Sequence, residues 1–160
     1  MNRIFAAALI VALFAGVGFA KDGHTERNKA IVRQVFTDIF TQGKYEVADQ
    51  IYAKDFVNHD ATRNIGFDEN LANVRGWRSA FPDLEMIVDQ EIAEGDYVTV
   101  LWRGRGTNTG NGNGLNSTGR RAQGRGISIF RVEDGKIKEE WTEYSQLLLM
   151  QQLGLMGGQK

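Results

Sequence analysis

A series of polar side chains near the end of the chain is the first candidate for chemistry in this sequence. Glu139, Trp141, Glu143 and Ser145 recur at every second position. Alternate residues of a β-strand project to the same side, so a strand here places all four on one face. If that face is buried, burial beside Trp141 fits Glu143 for proton transfer. If it is exposed, the two glutamates pair with arginines such as Arg103.

A histidine flanked by polar residues is the second candidate. His59 lies between Asn58 and Asp60, and His24 is the only other histidine. A neighbouring carboxylate can orient an imidazole for acid/base work near neutral pH. The same three residues also suit an ordinary turn or helix cap. Because no second histidine stands at ligand spacing, the sequence predicts no metal site.

Helices are predicted in the first half of the chain to position these groups. An apolar stripe spaced for a helix of about four turns precedes Gly43 and consists of Ile31, Val32, Val35, Phe36, Ile39 and Phe40. A shorter amphipathic helix is predicted over 45–52. A third is predicted over 68–80, with Asp68 as its cap and Pro82 beyond its end.

After Pro82 the apolar period changes to two, which indicates strands over 84–89, 97–105, 127–132 and 137–144. Helices followed by an antiparallel meander indicate an α+β fold, with the helices packed on one side of a curved sheet.

Two further segments complete the predicted fold. The glycine- and asparagine-rich stretch 104–126 is predicted to be a long loop, serving either as a functional rim or as a mobile tip. The apolar segment 146–153 is predicted to be a final helix with Ser145 at its N-cap.

The first twenty residues have the form of an export signal. Arg3 precedes an apolar run over 4–14, and small residues lead to Ala20. Cleavage before Lys21 leaves a single domain over 21–160 in the periplasm or outside the cell, without membrane association. A retained membrane anchor is the alternative, which the shortness of the run disfavours.

Composition excludes several classes of protein. The 160-residue chain has no cysteine, so it forms no disulfide, no thiolate metal site and no thiol nucleophile. Its formal net charge is -1 and no basic stripe is interleaved with aromatics, so no nucleic-acid partner is expected.

Four stretches together resemble one known family. They are FVNHDA at 56–61, WRSAFPDL at 77–84, GTNTGNGNG at 106–114 and EEWTEYSQLLLMQQLG at 139–154. They resemble the SnoaL-like polyketide and ester cyclases of the nuclear transport factor 2-like superfamily, over nearly all of the chain after residue 25. The resemblance implies a cone-shaped, cystatin-like fold, in which N-terminal helices pack on the concave face of an antiparallel or mixed sheet. It also implies that stretch 104–126 continues the paired strands and edges the pocket.

The resemblance also implies an activity and its site. Members of the family close a ring by an intramolecular aldol reaction, without metal or organic cofactor. Their catalytic aspartate corresponds to Ser145 here, and a frequent histidine corresponds to Asn108. A serine needs another base to activate it, and an asparagine cannot shuttle a proton. The resemblance therefore leaves Glu143 and His59 as the candidate bases.

Large apolar side chains are candidates for the wall of such a pocket. They are Trp77, Phe81, Met86, Trp102 and Trp141, with Asn108 as a polar contact. A simple hydrophobic core is the alternative for the aromatic residues.

Three functions remain open at this point. The first is an exported enzyme that removes a proton next to the carbonyl of a small apolar compound and thereby cyclises or isomerises it. The second is a non-catalytic protein that binds a small hydrophobic ligand. The third is an interaction domain whose open sheet pairs with a partner or, as a homodimer, with its own copy.

Overall fold

The computed structural model describes residues 23–60 and 62–156. The predicted signal segment 1–20 lies outside the described residues. None of the helices in the described ranges is long and apolar enough to cross a membrane.

The first helix begins as an α-helix and ends as a π-helix. The α-helix α1, Gly23–Gln34, continues into the π-helical segment Val35–Thr41. The predicted apolar stripe is confirmed, since Val32, Phe36 and Ile39 are buried against the sheet. Gly43 follows with a φ of 69°, a conformation that suits glycine and ends the helix.

Three more helices are α2, Glu46–Ile51, α3, Phe67–Ala80, and α4, Gln146–Leu153. The prediction of Asp68 as a helix cap is wrong, because Gly66 occupies the N-cap and Asp68 lies in the first turn. Ser145 does occupy the N-cap of α4, but its side chain makes no capping hydrogen bond. Its backbone carbonyl accepts the Leu149 amide instead.

Six strands form one curved, unclosed sheet in the order β2-β1-β6-β5-β4-β3. They are β1, Tyr52–His59; β2, Asn64–Gly66; β3, Glu85–Glu94; β4, Tyr97–Thr107; β5, Arg121–Glu133; and β6, Lys136–Tyr144. All neighbours are antiparallel except β1 and β6, which are parallel. The α+β fold class is confirmed, and the pairing of β1 with β6 makes the sheet mixed.

The predicted long loop over 104–126 is shorter than expected, because β4 and β5 both extend into it. The remaining segment, 108–120, packs against α3. The Asn113 side chain donates to the Asn73 carbonyl at 2.9 Å, and the Ser79 hydroxyl donates to the Asn111 carbonyl at 2.7 Å. A Cβ on Gly112 would lie 2.0 Å from the Gly76 carbonyl oxygen, so the close approach requires glycine.

A β-bulge in β6 changes which residues face the helices. Val132 pairs with Ile137, whereas Arg131 pairs with Glu139, so Lys138 is an extra residue on β6. Strict alternation from the buried Ile137 would point Glu139 inward. The bulge shifts the series by one residue, and Glu140 faces inward instead.

Candidate functional site

An apolar cavity of about 150 Å³ lies between the inner face of the sheet and the helices. Phe36 and Phe40 line it from the π-helical segment. The cavity lining includes four of the residues predicted from the sequence, namely Trp77, Phe81, Met86 and Trp102. Their role in ligand binding stays a prediction.

Glycines on two neighbouring strands shape this cavity. Gly104 of β4 pairs with Gly124 of β5, and both line the cavity. A Cβ on Gly124 would meet no atom within 4 Å, whereas a Cβ on Gly126 would lie 2.4 Å from the Trp102 ring. Gly124 therefore leaves open volume in the cavity, and Gly126 makes room for the Trp102 ring, which is part of its wall.

Alanine at these two glycines is expected to have unequal effects on stability. Gly126→Ala should lower the free energy of unfolding by about 1–3 kcal/mol, because Trp102 or the backbone must move. Gly124→Ala should change it by less than about 0.5 kcal/mol, since its Cβ enters open space. Urea unfolding of both variants measures the difference, and equal losses would contradict this account of the wall.

Glu140 is the charged residue that β6 carries into the buried end of the cavity. It is only 9 % exposed, and its strand neighbour Thr142 also lines the cavity. Burial raises the pKa of Glu140 to about 7, although the neighbouring side chains of Thr142 and then Asn70 act in the opposite direction. Its Oε2 atom is buried without a hydrogen-bond partner among the described residues.

A chain of hydrogen bonds fixes the other carboxyl oxygen of Glu140. The Trp102 indole N–H donates to Ser128 Oγ at 2.9 Å, and Ser128 Oγ lies 2.7 Å from Thr142 Oγ1. The Thr142 hydroxyl donates to Glu140 Oε1 at 3.0 Å. An indole N–H can only donate, and an ionised carboxylate can only accept, so with Glu140 ionised every donor in the chain points toward it. Oε1 is thereby held by the Thr142 hydroxyl.

The raised pKa of Glu140 predicts that stability falls as pH rises from about 4.5 to about 7. In this range Glu140 of the unfolded chain has released its carboxyl proton, because its pKa there is the ordinary 4.5. Glu140 of the folded protein still holds that proton, because its pKa is about 7. The folded state binds more protons here, so raising the pH favours unfolding, by at most about 3 kcal/mol. Urea unfolding across this range should show the loss in the wild type and a flatter profile in Glu140→Gln. Glu143→Gln, altered on the same strand, should retain the wild-type slope.

The opposite side of β6 carries the residues that the sequence favoured for catalysis. Glu143 is exposed and does not line the cavity, which corrects the expectation that it projects into the hollow. Trp141 likewise does not line the cavity. The physical reason is the bulge at Lys138, which turns Glu139, Trp141 and Glu143 to the outer side of the sheet.

His59 belongs to this outer side as well. Its Nε2 lies 2.7 Å from Glu139 Oε2, and its ring stacks on Trp141 at 4.5 Å with 7° between the planes. Arg131 Nε donates to Glu139 Oε1 at 2.6 Å, and the hydrogen bonds from His59 and then Arg131 lower the pKa of Glu139. The carboxylate that orients the His59 imidazole is therefore Glu139. The neighbouring Asp60 instead accepts hydrogen bonds from the amide and the hydroxyl of Thr62.

The two positions that the resemblance matched to ionisable groups, Ser145 and Asn108, do not reach the cavity. Ser145 lies beyond the end of β6 and is not part of the cavity lining. Asn108 is fully buried outside that lining. Its amide donates to the carbonyls of Ala80 and Gly110, and its side-chain oxygen accepts from the amide and the hydroxyl of Thr118. Asn108 therefore holds segment 108–120 and has no polar capacity left for a ligand.

Sequence reasoning missed Glu140, Ser128, Thr142 and Tyr144, all of which line the cavity. One signal was available. Ser128 shares its side of β5 with Phe130 and Val132, and a polar residue in an otherwise apolar inward series marks a buried polar contact.

Among residues 23–60 and 62–156, no group of three or more histidine, aspartate or glutamate side chains is arranged to hold a metal ion.

Comparison with known proteins identifies the family of this cone-shaped domain. A model of the SnoaL-like polyketide cyclase family matches residues 30–153, so the chain belongs to that family. No curated protein matches the chain significantly.

Solved structures show the same fold. A presumed SnoaL-like polyketide cyclase from Jannaschia sp. CCS1 has a TM-score of 0.78 at 21% identity, over 85% of this chain and 97% of that one. AclR, a presumed hydroxylase from Streptomyces galilaeus, has a TM-score of 0.76 at 22% identity, over 85% and 86%. IdmH, a presumed polyketide cyclase from Streptomyces antibioticus, has a TM-score of 0.70 at 26% identity, over 79% and 98%.

Proposed function

We propose that this protein is a cofactor-independent enzyme that removes a proton next to the carbonyl group of a small apolar compound, with Glu140 as its base. The observation that carries the proposal is a carboxyl that lines an apolar cavity, is almost fully buried and has one oxygen held by the Thr142 hydroxyl. A base whose pKa lies near 7 is suited to proton transfer at neutral pH.

The proposed step begins with ionised Glu140. Its carboxylate takes a proton from the carbon next to the carbonyl, and the electron pair of the broken C–H bond forms the enolate. Return of the proton to the same or another carbon gives exchange or isomerisation, while attack of the enolate on a second carbonyl within the same molecule closes a ring. Tyr144 lines the cavity, and burial raises the pKa of its hydroxyl, so it stays protonated and can donate to the enolate oxygen.

Exchange of carbon-bound hydrogen for deuterium tests this proposal without knowledge of the natural substrate. We expect the purified protein in D₂O to exchange the methyl hydrogens of acetophenone faster than buffer alone does, as measured by NMR. Saturable binding of acetophenone without any exchange would contradict the enzyme and leave a non-catalytic binding protein. The absence of both binding and exchange would contradict a site for small ketones.

A homodimer through the sheet is a second proposal, favoured by apolar side chains on the outer face. Ile92 is 60% exposed and Ile127 50% exposed, and Leu101 and Ile129 lie beside them on β4 and β5. Exposed apolar patches of this kind mark interaction surfaces. Sedimentation of the wild type should show a dimer and that of Ile127→Glu a monomer; a monomeric wild type would contradict the proposal.

Export to the periplasm or beyond remains a proposal that rests on the residues of segment 1–20. Expression of the full chain in a bacterium, followed by fractionation and N-terminal sequencing, tests it. We expect a periplasmic protein that begins at Lys21, and an uncleaved protein in the membrane fraction would instead support a retained anchor.

A further inference from the structure

We propose that the cavity selects neutral carbonyl compounds about the size of one six-membered ring, and that it rejects fused-ring ketones and compounds with a carboxylate. The inference rests on the proposed function, because it specifies what that site accepts.

The size of the cavity supports the first half of this proposal. Its volume is about 150 Å³, and an apolar cavity of about this size binds benzene. A compound of two or three fused rings exceeds this volume, so it would have to displace wall atoms, which is unfavourable, or leave part of itself outside the mouth of the cavity, where it gains no burial.

The walls that set this size are held by contacts of their own. Trp102 is fixed by its hydrogen bond to Ser128, and its ring lies 6.4 Å from that of Phe36. Trp77 meets the Tyr144 ring edge to face at 6.1 Å and the Phe81 ring at 6.2 Å. These contacts hold the rings in the positions that set the size of the cavity.

The charges around the cavity support the second half. Glu140 contributes a carboxyl without a cationic partner. Arg105 also lines the cavity, but its Nε donates to Glu85 at 2.8 Å, so that guanidinium is already paired. A carboxylate on the ligand would therefore be desolvated beside a second carboxylate, which is strongly unfavourable.

A series of aryl methyl ketones measures the size limit. Acetophenone, 2-acetylnaphthalene and 2-acetylanthracene carry the same acetyl group on one, two and three rings. Binding is measured on the wild type and on Glu140→Gln, so that it does not depend on catalysis. We expect acetophenone to bind saturably, 2-acetylnaphthalene to bind about tenfold more weakly or worse, and 2-acetylanthracene not to bind.

A matched ester and acid measure the charge limit. We expect methyl levulinate to bind and levulinate not to bind above pH 7, where Glu140 is ionised. Equal affinity for both compounds would overturn the exclusion of carboxylates.

Two tryptophans on opposite sides of the sheet provide matched variants for the wall. Trp77→Ala removes part of the cavity wall and should improve the affinity for 2-acetylnaphthalene relative to acetophenone. Trp141→Ala removes the same side chain from the outer face and should leave that ratio unchanged. Gly124→Leu, which projects into open space, should weaken acetophenone binding.

The outcomes separate this inference from the proposed function. Equal binding of all three aryl ketones overturns the size limit, whether or not exchange occurs. Size-selective binding of the aryl ketones without hydrogen–deuterium exchange supports the size limit and contradicts Glu140 as a base. If Trp77→Ala leaves the affinity for 2-acetylnaphthalene relative to acetophenone unchanged, Trp77 does not limit the size of the ligand.

Discussion

Exchange of acetophenone hydrogens is expected to fall about a thousandfold when Glu140 is replaced with glutamine, the usual order for loss of a positioned base. Glutamine has nearly the same shape, and its carbonyl oxygen can accept the Thr142 hydrogen bond that now holds Glu140 Oε1. The hydrogen-bond chain from Trp102 therefore stays intact. What is lost is the ability of the side chain to take up a proton.

Glu143→Gln is the matched control, because the same substitution falls on the same strand but on the outer side of the sheet. Its exchange rate should equal that of the wild type. A thousandfold loss in Glu143→Gln, or wild-type exchange in Glu140→Gln, would contradict Glu140 as the base. Urea unfolding of both variants at pH 8 verifies that each is folded.

The dependence of exchange on pH should reveal the same group. Only ionised Glu140 can accept a proton, so the exchange rate should rise as pH increases through about 7 and then level off. A surface glutamate with its ordinary pKa of 4.5 would already be ionised, and would give no rise in this range. A profile that is flat from pH 6 to 8 would therefore point to a different base.

The sequence was informative where local pattern decides the structure. The helix over 146–153 and the strand over 137–144 were predicted from the periodicity of apolar residues, and the structure has them at Gln146–Leu153 and Lys136–Tyr144. The family was predicted from short motifs, each of which lies in one continuous stretch of the chain. The match over 30–153 confirms the family.

Glu140 was missed because its orientation depends on pairing between strands. The alternation of Glu139, Trp141 and Glu143 is correct within β6, and these residues do share a side. Which side they occupy depends on the bulge at Lys138, and a bulge is defined only relative to the partner strand. The pattern within β6 therefore showed which residues share a side of the strand. It could not show which of the two sides faces the helices.

Asn108 shows the same limit in a different form. Glycine and asparagine are typical of exposed loops, so its stretch was read as a rim or a mobile tip. In the structure Asn108 is fully buried, and the groups that surround it come from the end of α3 and from Thr118, ten residues further along. Burial of this kind is produced by tertiary packing, which residue type alone does not indicate.

Replacement of Asn108 with alanine is expected to lower the free energy of unfolding by about 4 kcal/mol. The asparagine amide donates to two backbone carbonyls, and its oxygen accepts from the backbone amide and the hydroxyl of Thr118. Alanine leaves these buried groups without partners, and each such group costs about 1–3 kcal/mol. The loss should exceed that of an ordinary surface substitution and is measured by urea unfolding at pH 7.

Asn116→Ala is the matched control, since Asn116 is exposed in the same segment, 108–120. Its unfolding free energy should change by less than about 0.5 kcal/mol. If both variants lose little, segment 108–120 does not depend on Asn108. If the Asn108 variant loses several kcal/mol but its Glu140 cavity still binds acetophenone, Asn108 supports the fold and takes no direct part in binding. Loss of acetophenone binding by a folded Asn108 variant would contradict that separation.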